Sequence, residues 1–155
     1  MKTDAGTTEN MRIQHPYTDI VEIPAVSFSL ENYVLAIFAL EQAEGIVQVN
    51  RLADFHKVAS ASVIPAMRRL ERLGLIIYER RRQISLTPLG RRFVAATEEK
   101  RRTVRCFFEI TISELPGNVE HDFARIAHGI GNQLYSHIRQ HIELEIGPVV
   151  GSPER

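Results

Sequence analysis

The stretch from Ser62 to Gly90 restricts the possible folds more than any other. "SVIPAMRRLERLG" carries apolar residues at 63, 64, 67, 70 and 73, a helical stripe that ends at Gly74. Two short runs follow at once, "LIIYE" and "QISLT", and both read as strands. Between them stand Arg80, Arg81 and Arg82. Three adjacent guanidinium groups repel one another, and the turn lacks the Asn-Gly or Gly that makes a two-residue hairpin easy. Phosphates would relieve that repulsion. A helix feeding a hairpin with a cationic tip leaves few folds open.

The segments on either side narrow the choice. "LENYVLAIFALEQAEG" places Leu30, Val34, Ile37 and Phe38 on one helical face, with Gly45 as C-cap. "NRLADFHKV" predicts a short helix with Asn50 as N-cap that buries Leu52, Ala53, Phe55 or Val58. Three short helices and then a hairpin is the order of a winged helix-turn-helix, whose third helix fits a major groove about 12 Å wide. Thr87 as N-cap and Pro88 at the first helical position open a long helix reaching about Leu115, before Pro116-Gly117. "NVEHDFARIAHGIGNQLYSHIRQHIELE" predicts two more helices with a break near Gly129 and Gly131. The expected fold class is therefore mainly α: a winged helix-turn-helix DNA-binding domain followed by a helical dimerisation domain. The expected divisions are a flexible N-terminal arm at 1–27, the DNA-binding domain at 28–90, the dimerisation domain at 91–144 and a flexible tail at 145–155.

Charge supports a polyanion partner. Formal net charge is zero, yet residues 51–105 hold 14 of the 19 Lys and Arg and only five of the 19 acids. A basic middle in a neutral chain suggests a localised binding surface for nucleic acid, against the plainer alternative of a solvated arginine-rich face. Arg80, Arg81 and Arg82 at the wing tip would set affinity and orientation more than sequence preference. Base reading would fall to the start of the third helix, at Ser60, Ser62 and Pro65, with Arg68 and Arg69 adding charge there. Both serines could equally serve as simple caps. Pro65 is comfortable if Ser62 is the N-cap and kinks the helix if it starts at Ser60.

These residues resemble a known family. "ENYVLAIFALEQAEG", "ASASVIPAMRRLERLGLI", "ISLTPLGRR", "RRTVRCFFE" and "VEHDFARIAHGIGNQL" are similar to the metal-dependent repressors of the diphtheria-toxin-repressor type, over residues 30 to about 142. The likeness is to their short, manganese-regulator form without the SH3-like domain. It implies a homodimer, joined by the helices after the wing, that binds palindromic double-stranded DNA as a repressor. It also implies Mn²⁺ or Fe²⁺ as cofactor. The implied ligand positions hold Asn32 and Leu35 on the first helix, Arg101 and Arg105 on the long helix, and Ala124, Ala127 and His128 beyond. Only His128 keeps ligand chemistry, which is no set for a hard divalent cation. The expected regulator is therefore metal-independent or responsive to another effector, with a candidate effector pocket at Asn32, Arg101, Arg105 and His128. Arg101 or Arg105 would stand in for the cation, or bind an anionic metabolite. No metal ligands are assigned.

Other groups raise their own possibilities. His137 and His141 lie one helical turn apart and could chelate a metal with His121 or Glu145. Cys106 beside Arg105 could be a redox sensor with a lowered pKa, or simply a small buried hydrophobe. The chain shows no phosphate-binding Gly-rich loop, HExxH or GxSxG, so no enzyme is expected. No apolar run approaches the roughly 18 residues that span a bilayer. The N-terminal stretch lacks a signal-peptide pattern, and a single Cys suits a reducing compartment, so the expected location is cytoplasmic. "LTPLG" also occurs in MarR-type regulators, which leaves a small-molecule-responsive regulator of that type open. A winged-helix protein-interaction module is open as well.

Overall fold

The computed structural model describes residues 23–79 and 83–147. Its elements run α1 (Phe28–Glu44), β1 (Val47–Gln48), α2 (Val49–His56), α3 (Ser60–Arg72), β2 (Ile76–Tyr78), β3 (Gln83–Leu86), α4 (Pro88–Thr111), α5 (Glu120–Gly129) and α6 (Asn132–Ile146). This is the mainly helical, winged architecture expected.

The Ser27 hydroxyl accepts from Leu30 N at 3.4 Å to open α1, and Gly45 closes it at φ 78°. Its inward face holds Leu30, Tyr33, Val34, Ile37 and Leu40, all buried. The second helix begins one residue before the expected cap. Gln48 is its N-cap, while Asn50 Oδ1 accepts from the adjacent Arg51 N at 2.9 Å. Val49, Leu52 and Ala53 form its buried stripe at helical spacing, which turns Phe55 outward at 55% exposure. Val58 is also exposed, so neither joins the core as expected. Lys57 in the left-handed region (φ 55°) ends α2 and makes the turn into α3.

The third helix starts at Ser60 with Ala59 as N-cap, and no side chain caps it. The expected Ser62 cap is absent, and Pro65 stands inside the helix. Pro65 has no N–H to offer the carbonyl of Ala61, and it is on the exposed face, where water can satisfy that oxygen. Val63, Met67 and Leu70 are fully buried on the other side.

The wing is a three-stranded antiparallel sheet of order β1-β3-β2, pairing Val47 with Ile84 and Ile76 with Leu86. At two residues, β1 is too short to show an alternating pattern. "LTPLG" is the joint between sheet and α4. Thr87 Oγ1 accepts from Gly90 N at 3.0 Å and donates to Gly74 O at 2.6 Å, while Thr87 N donates to Leu75 O at 3.1 Å. A Cβ on Gly90 would lie 2.1 Å from Leu75 O, so only glycine allows this approach. Glu41 on α1 locks the joint from beneath, accepting from Leu86 N (2.8 Å) and Arg91 Nη2 (2.9 Å).

The long helix ends at Thr111, short of the expected Leu115, with Ile112 extended as C-cap. The Thr111 hydroxyl bonds back to Phe107 O at 2.6 Å, an i−4 contact within the last turn, and the helix stops five residues before Pro116-Gly117. Two cores result. The larger unites α1, α2, α3 and the sheet and ends at Phe93 and Val94. The smaller joins Val104 to Phe123 and Ala127, with Phe108 stacked on Phe123 at 5.5 Å. The α5–α6 break falls at Ile130 and Gly131, and Lys100 Nζ donates to Ile130 O at 2.5 Å.

Candidate nucleic-acid interface and effector site

The exposed face of α3 carries the side chains expected to meet DNA. Ser62, Pro65, Arg68 and Arg69 are exposed and Ser60 is half-buried, together with Ala61 and Arg72. Burial of Val63, Met67 and Leu70 forces these residues outward, since the two faces alternate at helical spacing. Arg68 and Arg69 take no part in the ion pairs formed among the described residues. Their charge is therefore free to meet a polyanion. α2 crosses behind α3, tied to α1 by the Arg51–Glu44 pair. Arg80, Arg81 and Arg82 lie outside the described residues.

The second site centres on a residue that the ligand positions do not include. Glu31 on α1 is only 5% exposed. Its Oε1 accepts from Arg101 Nη2 on α4 at 2.5 Å, and its Oε2 is 2.6 Å from His128 Nδ1 on α5. The same Nη2 of Arg101 donates to Asn32 Oδ1 at 3.0 Å. Three of the four expected pocket residues, Asn32, Arg101 and His128, thus meet around one buried carboxylate. Arg105 does not join them; it pairs with Glu120 at the exposed edge. Glu31 is legible in principle, because it stands one turn before Val34 on the inward face. A buried carboxylate without partners costs several kcal/mol, about what a close cation returns at intermediate dielectric.

Beside this cluster lies a cleft of about 1010 Å³ between α1, α2, α4 and α5. Phe28, Asn32, Phe55, His56, Arg101 and Arg105 are among its walls. His56 packs on Tyr33 with ring centroids 4.4 Å apart, and burial pushes its pKa down, towards the neutral form. Two buried polar atoms here have no protein partner, His56 Nε2 and Arg101 Nε. Each would cost about 1–3 kcal/mol if nothing satisfied it.

The residues present do not fit Mn²⁺ or Fe²⁺. Both carboxylate oxygens of Glu31 are engaged, one of them by a guanidinium. Ala124 and Ala127 offer no ligand atoms, and no group of three or more His, Cys, Asp or Glu that could hold a metal occurs among the described residues. His137 and His141 form no site either. His137 Nδ1 sits 2.8 Å from Gln133 O, His141 lies edge-on to Phe107, and His121 packs instead against Phe28. The direction of the Cys106 shift favours the plain hydrophobe over the redox sensor. Burial and the nearby Glu109 push its thiol pKa up, against thiolate chemistry.

Comparison with known proteins agrees with this geometry. Residues 26–84 match the family described as "Iron dependent repressor, N-terminal DNA binding domain". The HTH-type transcriptional regulator MntR of Listeria monocytogenes serotype 4a (strain HCC23) is 30% identical over 100 residues, which cover 64% of this chain and 70% of that protein. Among solved structures, IdeR of T. acidophilum superposes with a TM-score of 0.60 at 22% identity, over 77% of this chain. The chain spans only 55% of that regulator's length. A Sulfolobus solfataricus protein, SSo2273, gives a TM-score of 0.65 at 18% identity, over 76% of this chain and 89% of its own. At such identities these structures speak for the fold, and the sequence match speaks for the lineage. With a winged helix-turn-helix whose reading face is basic and open, the chain belongs to the MntR family of helix-turn-helix transcriptional regulators.

Proposed function

We propose that this regulator is a cytoplasmic homodimeric repressor of palindromic DNA sites whose DNA-binding shape does not depend on Mn²⁺ or Fe²⁺. The observation that carries this reading is the position of Arg101. Its guanidinium holds the buried Glu31 carboxylate next to the implied α1 ligand position at Asn32, with His128 on the same carboxylate. A fixed positive charge supplied by the chain replaces one supplied by the solution. The α3 residues Ser60, Ser62, Pro65, Arg68 and Arg69 face the major groove in this reading, and Arg80, Arg81 and Arg82 contact phosphates from the wing.

Residues 28–90 then act as the DNA-binding unit and 91–144 as the dimerisation unit, which the end of α6 extends to Ile146 where a loose tail is expected from 145; most of the expected arm and tail, 1–22 and 148–155, lies outside the described residues. Support for dimerisation comes from the apolar surface of the C-terminal half: Ile110, Ile112, Ile126, Leu134, Leu144 and Ile146 are all more than a third exposed. A two-fold dimer would present two α3 helices to half-sites about one helical turn apart. No helix among the described residues is long and apolar enough to cross a membrane. The test is fluorescence anisotropy at fixed salt on DNA upstream of the protein's own gene and on a scrambled duplex. Equal specific binding in chelator and in Mn²⁺, Fe²⁺ or Zn²⁺ is expected. Specific binding only with metal would overturn the metal-independent reading.

A further inference from the structure

The cleft beside the Glu31 cluster has two kinds of wall. One is aromatic: Phe28 from α1, Phe55 from α2 and Phe123 from α5 all line it. Phe55 is more than half exposed, which leaves its ring available to a ligand in the cleft. The other wall is α4, which presents Arg101, Arg102 and Arg105 at helical spacing. Arg102 is exposed and takes no part in the ion pairs among the described residues. Arg105 has only its exposed pair with Glu120, which little energy holds.

Charge then sets the valence of the partner. Three arginines and two carboxylates, Glu98 and Glu120, line the cleft, and His56 beside them is driven towards neutrality by burial. Glu31 neutralises Arg101 and Glu120 pairs with Arg105, so Arg102 is the wall arginine without an ion pair among the described residues, and a single open cation suits a monoanion. A phosphate dianion would face both carboxylates. Aromatic walls with a few charged and polar groups are the usual make-up of a small-molecule site.

We propose that this cleft binds an aromatic monocarboxylate of one or two rings, with the carboxylate on Arg102 and Arg105 and the ring against Phe28, Phe55 and Phe123. Its use as an effector site rests on the DNA-binding reading above; the binding itself does not. α1 and α2 belong to the same core as the reading helix, whereas α4 and α5 form the opposite wall. Asn32 and Arg101 line the cleft and also hold the Glu31 cluster. A ligand whose ring rests on α1 and α2 and whose carboxylate is held by α4 ties the two walls together, and ligand and DNA affinities are thereby linked reciprocally.

Fluorine NMR titration of the full chain with 4-fluorobenzoate tests the site, with neutral 4-fluorobenzamide as control. Saturable binding with a Kd of about 1 mM is expected for the acid, and binding at least about tenfold weaker for the amide. Arg102→Gln should weaken the acid about tenfold, and Ala39→Phe, at an exposed α1 position on the cleft wall, should abolish binding by filling it. Circular dichroism checks that both variants fold, and each residue suffices alone if the other does not. No saturable binding, equal binding of acid and amide, or binding indifferent to the folded variants overturns the proposal. DNA anisotropy of the unliganded protein is run alongside. Benzoate binding without DNA binding sinks the regulator reading and leaves the site; the reverse sinks the site alone.

Discussion

Arg101 reaches back across 70 residues of sequence to donate to Glu31 at 2.5 Å, and so joins α4 to the first turn of α1. His128 from α5 takes the other oxygen at 2.6 Å. Three helices from both halves of the chain therefore converge on one carboxylate. The pair is buried on the acid's side and a quarter exposed on the arginine's. That asymmetry makes Arg101 the natural place to break it.

Arg101→Gln should lower stability by about 3 kcal/mol, because it leaves a buried carboxylate short of its main counter-charge. Urea unfolding measures the loss. Glu31→Gln should cost less, since it leaves the partly exposed cation and not the buried anion. Combining the two should recover part of the loss, giving a coupling well above the few tenths expected of independent sites. Additive single effects would mean that the pairing is incidental.

Metal removal should do nothing. A cation that binds only the folded state raises stability in proportion to the logarithm of its concentration over Kd, about 2.7 kcal/mol at a hundredfold excess. With Glu31 engaged by Arg101 and His128, thermal unfolding in EDTA and in 100 μM Mn²⁺ should coincide. A rise of several degrees with Mn²⁺ would show a ligand set that includes more than these residues.

The joint between sheet and α4 makes a different kind of demand. Gly90→Ala puts a methyl 2.1 Å from the carbonyl of Leu75, a backbone atom that cannot move away cheaply. A loss of at least about 2 kcal/mol follows, at the upper part of the range for overpacking. Thr87→Ala should cost about 1–2 kcal/mol as a lost cap, and Thr87→Ser much less, because the hydroxyl that bonds Gly74 and Gly90 is kept. Denaturant midpoints for the three variants rank them.

How much of this is legible in the sequence follows from the range of the interactions involved. Gly45, Gly74, Thr87 and Pro88 are local punctuation, so the order of helices and strands comes through, and the stripe at 63, 67 and 70 places α3 correctly. Apolar character alone puts Phe55 in the core; its exposure follows from a stripe at 49, 52 and 53, set by the starting register of α2. The end of α4 at Thr111, short of Pro116-Gly117, leaves no mark in the periodicity. Resemblance groups Asn32, Arg101 and His128, and the structure brings them together. Glu31 is marked in the sequence only by its place on the inward face of α1, while its partners, 70 and 97 residues away, leave no local trace. The Cys106 thiol shifts opposite to the direction its neighbouring arginine suggests, because burial and the nearby Glu109 both raise its pKa.

DNA recognition should divide between helix and wing. Arg69→Ala on the exposed face of α3 should cost about 1–3 kcal/mol on a specific duplex and less on a scrambled one. Replacing Arg80, Arg81 and Arg82 by Ala should weaken both duplexes alike. It should also flatten the plot of log K against log salt by about 0.9 for each phosphate no longer neutralised. Anisotropy across a salt series separates the two behaviours. A wing variant that changes base preference but not slope would reverse the assignment.

His56 should make stability fall with acid. Burial holds its pKa below the unfolded value of 6.5, so the unfolded chain takes up a proton over a range of pH where the folded chain does not. Within that range the unfolded state binds more protons, and stability rises with pH. The contribution is complete above pH 6.5 and is lost as pH falls from there through the folded pKa, at no more than about 1.4 kcal/mol per pH unit. Phenylalanine keeps the ring against Tyr33 and removes the unpartnered Nε2, so His56→Phe should flatten this slope without unfolding the chain. Urea midpoints of both proteins between about pH 5 and 7.5 provide the comparison. Parallel curves would show that the acid sensitivity lies elsewhere; convergence towards high pH, with the wild type falling away below 6.5, places it at this histidine.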